Sequence, residues 1–170
     1  MSPPIPKDSH PCFFYGSLMA PAVLNSVTRP GIDSNLCRVN AVIEGFVRHP
    51  YHNEPYPGMI ASADSTKTVE GILVFGHSAI DVFRLDQFEG SEYTRELLPV
   101  KILESVPASF SHGQQPLEAG TSVLSNVYVF TGPVKHLDQT REWDFEAFKN
   151  EKLARWMQTS SDFVTDGSEA

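Results

Sequence analysis

The chain is poor in cysteine, in basic residues and in long apolar runs. Its 170 residues hold two cysteines, Cys12 and Cys37, which excludes a disulfide-built scaffold. A single bridge stays open, although both lie in apolar runs where buried free thiols are common. Lysine and arginine total 13 against 21 aspartates and glutamates, a formal charge of −8. That field repels a phosphate backbone, so no nucleic-acid partner is expected. No run reaches about 18 apolar residues, so no membrane span is expected. The glycine loops that cradle nucleotides are missing, and Ser17 lacks the Gly-x-Ser-x-Gly elbow of a nucleophilic serine. Met1 to His10 carries three prolines and no long apolar stretch. It does not read as a secretory signal, and the expected setting is reducing and cytoplasmic.

What is present reads as a globular chain, 41% hydrophobic and 20% charged. One domain over 12–159 is expected, between flexible tails at 1–11 and 160–170. Cys12 to Tyr15 reads as a buried strand that breaks at Gly16-Ser17. Pro21 to Thr28 suits a short helix with proline in its first turn, and Pro30-Gly31 is a turn. Cys37 to Val47 reads as a strand, Arg48 to Pro57 as a proline-rich loop, and Gly58 to Ala61 as a strand end. Val69 to Phe75 is a further strand, where Gly71 marks a bulge or a close backbone approach. Ser78 caps a helix beginning near Ala79 and closed by Gly90. Tyr93 to Leu103 returns to strand chemistry, with Pro99 demoting part of it to an edge or bulge. Ser105 to Gly120 offers neither period and is expected to be a mobile excursion. Val123 to Thr131 is a strand. Asp144 caps a last helix whose apolar stripe runs through Phe145, Phe148, Leu153, Trp156 and Met157. Helices do not alternate regularly with strands. The expected fold is therefore α+β, a mixed, strongly curved sheet or small barrel flanked by helices.

Three clusters of residues bear on chemistry. The turn Tyr15-Gly16-Ser17-Leu18 is either an ordinary turn or a row of backbone N–H donors for a carboxylate or oxyanion. Glu89 follows Leu85 and Val82 by one and two helical turns, so its carboxylate shares their apolar face. Desolvation there raises a carboxyl pKa and makes a proton carrier; at a frayed helix end the same residue is merely solvated. Tyr93 and Arg95 share one side of a strand, and Arg95 has Glu96, Asp86 or a substrate carboxylate as partners. Tyr128 faces opposite to Val127 and Val129, which leaves its hydroxyl in a cavity or its ring in the core. His49, His52 and Glu54 share a loop, but a firm zinc site wants a further ligand cluster, and no metal is expected.

Several short motifs recur in a telling order. Phe13-Phe14-Tyr15-Gly16-Ser17-Leu18 opens the chain. Tyr56-Pro57-Gly58-Met59-Ile60 and Val69-Glu70-Gly71-Ile72-Leu73 follow. Next come Leu85-Asp86-Gln87-Phe88-Glu89-Gly90 and Tyr93-Thr94-Arg95, and later Trp143-Asp144-Phe145-Glu146-Ala147-Phe148. This order resembles the gamma-glutamylcyclotransferase-like superfamily, most of all its avirulence-induced plant and fungal-type branch. The likeness runs from about Cys12 to Met157. It implies a mixed barrel with a side cavity. It also implies substrate contacts from the backbone of Tyr15, Gly16, Ser17 and Leu18, and a catalytic carboxylate at Glu89. The cavity is expected to be bounded as well by Gly58, Met59, Ile60, Tyr93 and Tyr128.

The resemblance further implies a small-molecule γ-glutamyl substrate, no cofactor and no metal. The substrate's α-amine attacks its own γ-carbonyl, giving 5-oxoproline and a free amine, with Glu89 as general acid and base. Two alternatives stay open. One is an enzyme of the same fold in a secondary-metabolite pathway, using Glu89 for another proton transfer. The other is a non-catalytic descendant that only binds a small molecule. The sequence sets neither the substrate nor an oligomeric state.

Overall fold

Phe13 and Phe14 point to opposite sides of one strand, and that alternation divides the molecule into two apolar layers. The coordinates are a computed structural model that describes residues 6–28, 35–111, 113, 115–151 and 153–155. The turn expected at Pro30-Gly31, the stripe residues Trp156 and Met157, and the C-terminal tail lie outside the described residues.

Five strands close into a barrel in the order β1 (Cys12–Phe14), β5 (Thr68–Phe75), β2 (Cys37–Glu44), β6 (Tyr93–Ile102), β7 (Ser122–Phe130). All neighbours are antiparallel except β1 and β7, whose parallel register Cys12↔Asn126 and Phe13↔Val127 closes the ring. Every strand sends residues into the interior: Phe13, Leu73, Ala41, Ile102 and Val127 are all fully buried there. The helices α1 (Pro21–Thr28) and α2 (Ala79–Glu89) cover one outer face. Val23, Leu24, Val82 and Leu85 pack there on Cys12, Phe14, Val74 and Tyr128. Each fully buried aliphatic side chain contributes roughly 1.5–3 kcal/mol.

Local rules explain most element ends. Ser78 and Asp81 form a reciprocal capping box, and Gly90 at φ 82° ends α2. A Cβ on Gly71 would run into the Phe14 carbonyl and the Phe13 ring, so the β1–β5 pairing needs glycine there. Pro99 sits where β6 pairs with β7 alone, since β2 joins β6 only at Lys101 and Ile102. Both cysteines are free thiols, and burial pushes Cys12 up to about 12.

Three expectations need correction. Both ends of the expected Arg48–Pro57 loop are strand: β3 (Phe46–Pro50) pairs with β4 (Pro57–Ala61) in a separate two-stranded sheet. The 138–143 segment docks on it, with the Trp143 N–H donating to the Arg48 carbonyl and the Trp143 indole to the Pro55 carbonyl. The N-terminal stretch is anchored over 6–11. Buried Asn126 needs acceptors for its amide and donates to the carbonyls of Lys7 and His10, while Asp8 meets Arg95 at 3.1 Å. Ser105–Gly120 is not structureless either. Val106 and Leu117 exchange backbone hydrogen bonds, and Val106 is fully buried in the barrel core. Sparse apolar residues in a polar stretch suffice to plug a barrel end.

Candidate active site

The C-terminus of α2 and the exit of β1 face each other across a cavity of about 300 Å3. One wall is Phe88 to Tyr93, in the turn between α2 and β6. The other is Phe13 to Leu18, and Tyr56 and Pro57 fill the gap between them.

The turn after β1 is held from three sides. Arg48 donates through Nη1 to the Tyr15 carbonyl at 2.5 Å, and its guanidinium lies 5.2 Å over the Trp143 ring. The Tyr15 hydroxyl donates to the Tyr128 carbonyl. A Cβ on Gly16 would sit 2.9 Å from Pro57 Cδ, so only glycine allows this approach. Pro57 is fixed in turn by Tyr93, whose hydroxyl donates to its carbonyl at 2.7 Å. Ser17 and Leu18 open a short 3-10 turn, so their N–H groups lack acceptors within it, and both residues line the cavity.

Glu89 is half-buried and takes no hydrogen bond from any described residue. Burial, with a smaller push from the Asp86 charge, raises its carboxyl to about 8. Its charge in turn helps burial to raise the hydroxyls of Tyr15 and Tyr93. Asp86, one turn earlier, is clamped. Tyr128 donates to its Oδ1 at 2.6 Å and Arg95 Nε at 2.9 Å. Arg95 therefore pairs with Asp86 and Asp8 and does not line the cavity.

Of the residues singled out in the sequence, the structure brings together Tyr15, Gly16, Ser17, Leu18, Glu89 and Tyr93. It does not bring Gly58, Met59, Ile60 or Tyr128 to the cavity lining. Gly58 is pressed against Phe130 and Leu137, Met59 is fully buried in the barrel core, and Ile60 pairs with Val47. Tyr128 faces opposite to Val127, toward α2, where Asp86 takes its hydroxyl. His49 is buried with Nδ1 2.6 Å from the Arg141 carbonyl, which makes it a brace of the β3–β4 sheet. Among the described residues no group of three or more His, Cys, Asp or Glu is placed to hold a metal.

Sequence reasoning missed Glu92. It lines the cavity and accepts from the Tyr51 hydroxyl at 2.7 Å, with His136 Nδ1 2.6 Å from its other oxygen. These two hydrogen bonds hold its carboxyl below the usual range. Its position one residue before Tyr93 was the available signal. Its partners, 41 and 44 residues away, carried none.

The mixed barrel carries a side cavity lined by Glu89 and by the Tyr15–Leu18 turn. Residues 12–146 match the family described as gamma-glutamyl cyclotransferase, AIG2-like, and the chain belongs to that family. It is 29% identical over 154 residues to Protein AIG2 C of Arabidopsis thaliana, covering 89% of this chain and 79% of that one. It is also 29% identical over 160 residues to AIG2-like protein C of the same plant, covering 94% and 76%. A solution structure of an Arabidopsis thaliana protein, 24% identical, matches with a TM-score of 0.55 over 99% of this chain and 89% of that one. A second from the same plant, 22% identical, gives 0.53 over 94% and 93%. At those identities the structures speak for the fold. Family membership supports a cyclotransferase-type activity on a small molecule. Among the described residues no helix is long and apolar enough to cross a membrane.

Proposed function

We propose that the protein is a γ-glutamyl cyclotransferase that converts a γ-glutamyl amide to 5-oxoproline and a free amine, with Glu89 as its proton carrier. The observation that carries this reading is the state of Glu89. Its carboxyl is unpaired among the described residues, is pushed up to about 8 by burial, and shares a cavity with Ser17 and Leu18, whose N–H groups have no acceptor within their 3-10 turn.

The chemistry balances through that one carboxylate. The α-ammonium gives a proton to Glu89, and the freed amine attacks the γ-carbonyl carbon. A carbon–nitrogen bond forms, and backbone N–H groups of the turn stabilise the oxyanion. Glu89 passes its proton to the leaving nitrogen, and the amide bond breaks. A second proton moves the same way, so the α-nitrogen loses two and the leaving amine gains two. No water is consumed. Holding amine and carbonyl in one folded geometry supplies much of the acceleration. A group that titrates near the working pH can both take and return a proton. Phe13, Phe14 and Phe88 keep part of the cavity apolar, which sustains the raised pKa.

The test is incubation with a panel of γ-glutamyl amines and γ-glutamyl amino acids, reading 5-oxoproline. Release that follows an ionisation near pH 8 supports the reading. Binding without release overturns it in favour of a non-catalytic module.

A further inference from the structure

One residue of β7 holds both walls of the cavity without lining it. Tyr128 is buried on the face of β7 that meets α2, and its hydroxyl donates to Asp86 Oδ1 at 2.6 Å. Asp86 lies one helical turn before Glu89. The carbonyl of the same tyrosine accepts from the Tyr15 hydroxyl, which tethers the turn after β1. Asn126, two residues earlier on that face, accepts from Arg95 Nη1 at 2.9 Å, and Arg95 Nε donates to Asp86 Oδ1 at 2.9 Å. Glu89 is surrounded by Asp86 on its own helix and by Tyr15, Tyr56, Tyr93 and Tyr128 from the elements packed around it. The anion among them is Asp86, whose charge is offset by its donors Tyr128 and Arg95. Cys12 lies behind Asp86 and Tyr128 as a neutral thiol, pushed up to about 12 by burial.

We propose that Tyr128 is a positioning residue, which sets Glu89 against the Tyr15–Leu18 turn and weakens the field of Asp86 at Glu89. Its effect on rate rests on the cyclotransferase reading; its effect on the Glu89 carboxyl does not. Both walls hang from one residue of a barrel strand, so they cannot drift independently. A hydroxyl donated to a carboxylate is a charge-assisted hydrogen bond, which fixes the side chain and takes up part of its charge. Without it Asp86 keeps Arg95, but its less compensated charge repels an ionised Glu89 more strongly. A hydroxyl that merely packs the end of α2 behaves differently. Its loss loosens the helix end and lets water reach Glu89, which eases ionisation. The two roles therefore move Glu89 in opposite directions.

Tyr128→Phe keeps the ring and the backbone carbonyl and deletes only the donor. The Glu89 side-chain carboxyl is titrated by carbon NMR in the wild type, Tyr128→Phe, Asp86→Asn and the double variant. Thermal melts and steady-state kinetics on a γ-glutamyl amide accompany it. In Tyr128→Phe the Glu89 midpoint is expected above the wild-type value of about 8. In the double variant it is expected to match Asp86→Asn, because no charge is left to offset. Fluorotyrosine at position 128, nearly the same shape but a stronger donor, is expected to lower the midpoint. The kcat of Tyr128→Phe is expected to fall about tenfold, short of the roughly hundredfold cost of a misplacement near 1 Å, with KM nearly unchanged. A Tyr128→Phe midpoint at or below the wild-type value, or an unchanged kcat in an active enzyme, overturns the proposal. A raised midpoint with no 5-oxoproline from the wild type refutes the cyclotransferase reading and upholds Tyr128. Wild-type turnover with an unmoved midpoint does the reverse.

Discussion

Asp86 and Glu89 sit one helical turn apart on α2, and only one of them is tied down. Asp86 accepts from Tyr128 at 2.6 Å and from Arg95 at 2.9 Å, while Glu89 faces the cavity with no hydrogen bond from a described residue. The clamp on Asp86 fixes the last turn of α2 and keeps a negative charge behind Glu89. Asp86→Asn removes that charge. The midpoint of the rise of kcat/KM with pH is then expected to move below its wild-type value near 8. Arg95 loses one of its two ion pairs and keeps Asp8, and stability falls by about 1–3 kcal/mol. A pH–rate profile and a urea titration check both.

Glu89 also leaves a mark on folding. Its folded pKa of about 8 stands above the ordinary 4.5, so between those values the native state holds a proton that the unfolded state has lost. The native form is then favoured less and less as pH rises, by up to about 1.4 kcal/mol per pH unit. Below pH 4.5 both states are protonated and the effect vanishes; above 8 it is complete. Glu89→Gln is expected to match the wild type near pH 4 and to exceed its stability at pH 8.5. Denaturant unfolding at the two pH values measures this.

Arg48 braces the donor turn through the Tyr15 carbonyl, and it also donates to the Glu70 carbonyl at 3.1 Å and covers Trp143. Arg48→Ala is expected to lower kcat/KM tenfold or more, on the order of what a misplaced site costs. Arg48→Lys restores only part, because a point charge cannot reach two carbonyls and stack as a planar guanidinium does. Steady-state kinetics beside thermal melts distinguish this from simple unfolding.

Gly16→Ala drives a Cβ against Pro57 at 2.9 Å. Tyr15, Ser17 and Leu18 on either side are buried, so the turn shifts against packed neighbours and the melting temperature is expected to fall as well. Activity is expected to fall at least tenfold as the Ser17 and Leu18 N–H groups leave their places. Equal activity in the variant contradicts a role for that turn.

The parts of the site that lie close in sequence were legible. Glu89 is readable because a helix must end at Gly90, and the face shared with Val82 and Leu85 follows from helical spacing. The turn at Gly16 is readable because an apolar strand stops there. Barrel closure, by contrast, depends on Phe13 meeting Val127 across more than a hundred residues, which no local pattern encodes. Glu92 was missed for the same reason, because Tyr51 and His136 reach it from two distant loops. Gly58, Met59 and Ile60 were misplaced because strand periodicity tells which residues alternate and not which layer they enter. Met59 goes into the barrel core, and Gly58 makes room for Phe130 and Leu137. Val106 shows the opposite failure: it is buried in the barrel core from within a polar stretch, with Phe110 and Leu117 packed against the same core.

The most direct test of Glu89 as proton carrier is 5-oxoproline release by wild type and Glu89→Gln, read beside their thermal melts and substrate binding. Gln keeps the shape that packs beside Val82 and Leu85 but cannot carry a proton. Turnover is expected to fall by about 10²–10⁴-fold, with the fold and binding retained. Turnover at the wild-type rate in a folded Glu89→Gln contradicts the proposed mechanism.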